Sequence, residues 1–206
     1  MSEQNPEAAP LVEFGVWEKA FTIEDENGDC YMVKTTGNGV LLAVADGLGH
    51  GGEAAVAARV AMSCVENYKG QGIIPLFQLC HASLKPTRGA VMNLAFFNGT
   101  DNTMTWIGVG NVEGILIRSD SSVNPPRESI LLRGGVLGLN LPNLTATVMP
   151  IFPGDTLIFA TDGITNTFAD TLSLMDSPQK LVEKIGSQFC KGTDDALVVA
   201  GRYRGR

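Results

Sequence analysis

The sequence is short of cations, of sulfur ligands and of long apolar runs. Lysine and arginine total 15 against 22 aspartates and glutamates, giving a formal charge of −7 and a pI near 4.8. A chain with that balance lacks the basic face needed to neutralise nucleic-acid phosphates or to hold an anionic membrane surface. The four cysteines (Cys30, Cys64, Cys80, Cys190) form no CxxC pair, and only His50 and His81 could assist them. That spacing argues against a thiolate zinc site and for reduced thiols in a cytoplasmic protein. Cys64 and Cys80 fall among apolar residues at helical spacing and read as core. The longest apolar runs, such as VLLAVA, are far below the roughly 20 residues that span a bilayer. The opening MSEQNPEAAP has neither the basic start nor the apolar stretch of a secretory leader. The expectation is a cytoplasmic monomer with no nucleic-acid or membrane partner.

What is present is apolar and turn-rich. Hydrophobic residues make up 44% and charged residues 18%, enough for a substantial core, and 24 glycines point to many turns rather than a helical bundle. Residues 1–11 read as a flexible tail and 12–206 as one domain. Eight short segments rich in Val, Ile, Thr and aromatics read as strands: DCYMVKTT, GVLLAVA, GAVMNLAFF, TMTWIGVG, VEGILIR, TATVMPI, TLIFAT and ALVVAGRY. Asn98-Gly99 between two of them is a hairpin signal. The stretch 118–129 reads as a long loop. Three helices are expected. One covers Glu53–Tyr68 with Val56, Val60, Cys64 and Tyr68 as its apolar stripe, and a second starts at Pro75 with Leu76, Leu79, Cys80 and Leu84 inward. The third follows Ser177-Pro178, with Leu181, Val182, Ile185 and Phe189 inward and Gly192 at its close. Runs of strands without strict β-α alternation indicate an α+β layered fold with mostly antiparallel sheets.

The chemistry lies in the aspartates. The strand ending at Ala45 runs straight into Asp46-Gly47, with four glycines in the six positions after Asp46. A second apolar strand ends the same way at Asp162-Gly163. Asp194 and Asp195 precede the last strand, and Asp29 opens an early one. A lone Asp-Gly is most often a turn. Two of them, each capping a buried-type strand, place carboxylates at the rim of the core, where unpaired anions protonate or recruit cations. No Lys or Arg adjoins them in sequence. An oxygen-only donor set favours hard divalent cations, and glycine after each aspartate lets a backbone carbonyl approach an ion. Two such ions about 3.5–4 Å apart activate water and clamp a phosphoryl oxygen.

The set GDCYMVK, AVADGLGHGGEAA, GDTLIFATDG and TDDALVV resembles the metal-dependent type 2C protein serine/threonine phosphatases, in particular the bacterial branch of sporulation and stress-response enzymes. TRGAVMNLAFF and WIGVGNVEGILI are similar to further parts of that family, so the likeness runs through nearly the whole chain after Val12. It implies a four-layer αββα sandwich and two divalent cations, Mn2+ or Mg2+. By the same resemblance Asp46 is the bridging ligand, Gly47 a carbonyl ligand, and Asp29, Asp162 and Asp194 the remaining ligands, with Asp195 supporting Asp194. Asp46 and Asp162 are thereby the central catalytic positions. Glu24 and Asp25 rival Asp29, which alone has the matching glycine before it and strand after it. His50, in the glycine turn, either protonates the leaving oxygen or is an exposed loop residue; His81 and Arg88 read as structural and solvated.

The chain also departs from the pattern. AFTIEDEN contains no counterpart of the phosphate-binding arginine of eukaryotic members. Asn111 stands where some relatives carry an aspartate tied to a third metal, and Leu197 replaces a common threonine. The branch implies phosphoserine or phosphothreonine on STAS-domain proteins of the stressosome as substrate. The alternatives are phosphatase action on an anti-sigma-factor antagonist, or a non-catalytic pseudo-phosphatase that binds phosphoproteins.

Overall fold

The computed structural model describes residues 10–22, 26–129 and 131–205. Of the expected tail, residues 1–9 lie outside that range, as do Glu24 and Asp25. Leu11 is not tail: it packs on the central core, and its carbonyl accepts the Arg204 N–H at 2.8 Å.

Ten strands and three α-helices follow in order: β1 Val12–Lys19, β2 Asp29–Thr35, β3 Gly39–Gly47, α1 Gly52–Glu66, α2 Ile73–Leu84, β4 Ala90–Asn98, β5 Thr103–Val109, β6 Glu113–Ile117, β7 Arg127–Ser129, β8 Thr147–Pro150, β9 Thr156–Ala160, α3 Pro178–Phe189 and β10 Ala196–Tyr203. A 3-10 helix covers Asn166–Thr171. The strands form two five-stranded sheets, β2-β3-β4-β5-β8 and β1-β10-β9-β6-β7, and every strand pair is antiparallel. Leu42, Val44, Phe97, Trp106, Phe159, Leu197 and Val199 fill the space between the sheets. A second cluster joins the first sheet to α1 and α2, and a third joins the second sheet to α3. This is the αββα sandwich expected above. Each fully buried Leu or Phe contributes about 1.5–3 kcal/mol through removal from water.

Several local expectations change. β1 is a strand that the sequence reading passed over. It is an edge strand that carries the charged residues Glu13, Glu18 and Lys19, and Gln179 covers it. The Gln179 side chain accepts from Val16 N and donates to Val16 O, both at 3.1 Å, occupying the groups a foreign strand would pair with. β7 lies inside the stretch read as loop. On α1 the buried face is Ala54, Ala57, Ala58, Ala61 and Val65, while Val56 is 45% exposed. Alanines carry the contact nearest the sheet, and of the expected stripe Cys64 and Tyr68 are buried, Val60 packs on the same core and Val56 alone faces out. Leu79 of α2 is likewise exposed. α2 starts two residues before Pro75, which sits in the first turn, where its missing N–H costs nothing. α3 keeps its Ser177 cap and Pro178 at N1, but its C-cap is Cys190, and Gly192 (φ +71°) lies beyond the position expected to close it. The β4–β5 hairpin exists, yet its left-handed residue is Asn102 (φ 55°), not Asn98 or Gly99. All four cysteines are free, with Cys64 and Cys80 buried where read.

Candidate active site

The antiparallel register sets Asp29 directly opposite Asp46 at one end of the first sheet. The second sheet delivers its acids to the same end. Thr161, the residue after β9, donates its hydroxyl to Asp29 Oδ2 at 2.7 Å, and the same Oγ1 accepts the Leu197 N–H at 2.8 Å. Thr161 therefore ties β2, β9 and β10 together, and places Asp162 and Asp194 beside the Asp29–Asp46 pair. Asn111 donates to Asp162 Oδ2 at 2.9 Å and fixes its orientation.

The electrostatics report this convergence. Burial raises Asp29 to about 7, against the Thr161 hydrogen bond that lowers it, and the negative charges of Asp195, Asp162 and Asp194 raise it further. Burial raises Asp46 to about 8, with Asp29, Asp162, Asp194 and Asp195 adding repulsion. Among the described residues no Lys, Arg or His side chain pairs with the carboxylates of Asp29, Asp46, Asp162 or Asp194. Nor do any three Asp, Glu, His or Cys side chains close into a compact cage there. The rim is an open ring of repelling anions. Hard divalent cations fit that donor set, since they accept oxygen ligands and offset like charge.

The two Asp-Gly glycines have a packing cause. A Cβ at Gly47 would lie 2.0 Å from the Ala54 carbonyl oxygen, and one at Gly163 would lie 2.0 Å from the Asp195 carbonyl oxygen. Glycine is required so that α1 and the start of β10 can approach the strand ends that carry Asp46 and Asp162. Asp195 is buried and works through its side chain: Oδ1 accepts from Phe21 N and Oδ2 from Gly28 N, both at 2.8 Å. It anchors the segment leading into Asp29, while its own N–H donates to Asp194 Oδ1 at 2.9 Å.

His50 is exposed on the glycine turn, its ring tilted against Phe21 with centroids 6.1 Å apart. His81 is structural, with Nδ1 accepting the Gly138 N–H at 3.0 Å. Arg88 pairs with Glu53 in the first turn of α1. Leu197 is fully buried between the sheets. Two residues that sequence reasoning passed over belong to this end. Thr161 is one. Lys191 is the other: its Nζ donates to the Asp162 carbonyl at 2.6 Å, and it lines a cleft of about 230 Å³ with Asn111, Asp162 and Asn166. Neither has a sequence signature, because each acts on a partner 29 or more residues away.

Comparison with known proteins agrees with this geometry. The family model of Stage II sporulation protein E (SpoIIE) matches residues 36–204. The phosphoserine phosphatase RsbX of Bacillus subtilis (strain 168) is 33% identical over 89 residues, which cover 43% of this chain and 45% of RsbX. The match thus spans less than half the length of that relative. A chain solved in work on the bacterial stressosome as a modular system adapted to control secondary messenger signaling is 30% identical. It superposes with a TM-score of 0.83 over 93% of this chain and 99% of that one. RsbX in complex with magnesium superposes with a TM-score of 0.82 at 22% identity, over 93% of this chain and 95% of that one. The PP2C phosphatase domain of SpoIIE from Bacillus subtilis gives 0.72 at 19% identity, over 93% and 63%. The chain belongs to the SpoIIE family and carries the type 2C phosphatase fold.

Proposed function

We propose that this protein is a metal-dependent protein serine/threonine phosphatase. The observation that carries the reading is the facing pair of a buried Asp29 and a half-buried Asp46, without a cation partner among the described residues and joined at the same end by Asp162 and Asp194. Asp29, Asp46, Asp162, Asp194 and the Gly47 carbonyl would hold two divalent cations, Mn2+ or Mg2+. When bound, these supply a water of lowered pKa and a counter-charge for the phosphoryl oxygens.

The chain's own residues prepare that site. Thr161 holds Asp29, Asn111 holds Asp162, and Asp195 fixes the backbone entering β2. Lys191 brings a cation to the rim and softens the approach of a phosphate dianion to an acidic protein. Cys30, next to Asp29, packs against the core under α1 and burial raises its thiol pKa, so attack by water without a phosphoenzyme is the reading the side chains support. His50 is the histidine assigned to proton delivery to the leaving serine or threonine oxygen.

RsbX is named a phosphoserine phosphatase, and another neighbour comes from work on the stressosome. We therefore take phosphorylated STAS-domain proteins of a stressosome as the substrates, met by a cytoplasmic monomer. No helix among the described residues is long and apolar enough to cross a membrane. The test is Mn2+-dependent phosphate release from phosphorylated stressosome STAS proteins, run beside a phosphorylated anti-sigma-factor antagonist. Faster release from the stressosome protein is expected. Preference for the antagonist would favour the alternative, and binding without release would make the chain a pseudo-phosphatase.

A further inference from the structure

One cleft of the molecule lies away from the acidic rim. It holds about 640 Å³ at the opposite end of β2 and β3, over the turn at residues 36–38 and between the end of α1 and the start of α2. Along β2 it stands roughly 20 Å from Asp29.

Lys34, Phe96 and Thr105 line it from one row of the first sheet. Lys34, Leu41, Phe96, Thr105 and Val148 are successive cross-strand partners. The helices cover Leu41 but stop short of Phe96 and Thr105, which are half-buried, and the row ends at Val148, 63% exposed on the edge strand. The row therefore leads from the cleft to the sheet edge.

The walls are cationic. Lys34 and Lys69 line the cleft and no carboxylate does. The Lys34 ammonium donates to the Glu66 carbonyl at the end of α1, whereas the Lys69 ammonium pairs with no acid among the described residues. Tyr68 lines the same cleft, and its hydroxyl has no hydrogen-bond partner among the described residues. The first turn of α2 also opens here. Its N-cap is Gly72 (φ +92°), and no side chain caps it, leaving the Ile73 and Ile74 N–H groups without a side-chain acceptor.

On a molecule of net charge −7, a cleft whose charged lining residues are Lys34 and Lys69 selects anions and lowers the repulsion met by an acidic partner. Its volume far exceeds a single small anion, for a water-sized group fills about 30 Å³. A row that leads from Phe96 on to the exposed sheet edge suits a chain rather than a compact ligand. We propose that this cleft docks an acidic, extended segment of a protein partner. Its carboxylates meet Lys34, Lys69, the Tyr68 hydroxyl and the first turn of α2, and an apolar side chain rests on Phe96. The inference goes beyond the phosphatase reading, and its binding test does not depend on it.

The experiment titrates the full chain into a fluorescein-labelled acidic peptide with one central phenylalanine, followed by anisotropy at low and high salt. ATP is run as a separate competitor, and p-nitrophenyl phosphate hydrolysis with Mn2+ is followed in parallel. Wild type is expected to bind the peptide, and more weakly at high salt. Lys69→Glu, an exposed change, should weaken binding about tenfold, and Tyr68→Phe about threefold, through loss of one hydrogen bond. Both should leave p-nitrophenyl phosphate turnover unchanged. Absence of peptide binding, equal binding by Lys69→Glu, or binding of ATP in place of the peptide overturns the proposal. Absence of turnover in wild type removes the phosphatase reading instead and leaves the binding result standing.

Discussion

Thr161 and Asp29 lie on different sheets and are joined by a 2.7 Å hydrogen bond, hydroxyl to carboxylate. The bond holds the carboxylate ionisable against burial, and it keeps β9 and β10 in step with β2. Thr161→Val removes it and also strips the Leu197 N–H of its acceptor. The expected cost is about 1–3 kcal/mol in unfolding free energy, with about a tenfold loss in Mn2+ affinity. Because the hydroxyl lowers the Asp29 pKa, the acidic limb of the pH–rate profile should also move to higher pH. Denaturant melts and a pH–rate series check these together.

The raised carboxylates give the metal-free protein a specific pH dependence. Asp29 and Asp46 titrate near 7 and 8 in the fold against about 3.9 unfolded. The folded state binds the extra protons, so the stability they confer is full below about pH 4 and is lost as pH rises through about 7 to 8. In the absence of divalent ions the melting temperature should fall between about pH 5 and pH 8.5. Adding Mg2+ should raise it more at the upper end than at the lower. A metal effect that is flat with pH would contradict the assignment.

Gly47→Ala and Asp46→Asn separate packing from chemistry at adjacent positions. The added methyl meets the Ala54 carbonyl oxygen and forces α1 away from the strand, costing about 2 kcal/mol or more. Asp46→Asn removes a buried charge facing Asp29, so the metal-free protein should melt higher than wild type at about pH 8 while losing turnover. Thermal melts without metal distinguish the two.

Replacing His50 tests proton delivery to the leaving group. Nitrophenolate leaves without a proton and a serine alkoxide does not. His50→Ala should therefore slow a phosphoserine peptide by about tenfold or more and leave p-nitrophenyl phosphate close to wild type. Equal small effects on both substrates would reduce His50 to a loop residue packed on Phe21.

The legible and illegible parts of this molecule divide along physical lines. Apolar runs ending in Asp-Gly could be read because strand burial and a terminal carboxylate are both local in sequence. The order of those strands indicated a layered, mostly antiparallel α+β fold, and its two-sheet αββα form came from the family resemblance. β1 escaped notice because it lies at a sheet edge and its charged Glu13, Glu18 and Lys19 break up a short apolar run. The inward face of α1 was legible at Cys64 and Tyr68 but not at its alanines, which close packing selects and a search for bulky residues passes over. The glycines were read as room for an ion, whereas Ala54 and Asp195 show that backbone contact alone demands them. Thr161, Lys191 and the side-chain role of Asp195 could not be read at all, since each depends on which strand ends meet in space.

The most direct measurement is calorimetric titration of Mn2+ into the metal-free chain, paired with p-nitrophenyl phosphate turnover, for wild type and Asp46→Asn. The account predicts about two ions bound by wild type with turnover. In Asp46→Asn it predicts loss of at least one ion together with abolition of turnover. Unchanged Mn2+ binding and unchanged turnover in Asp46→Asn would contradict it.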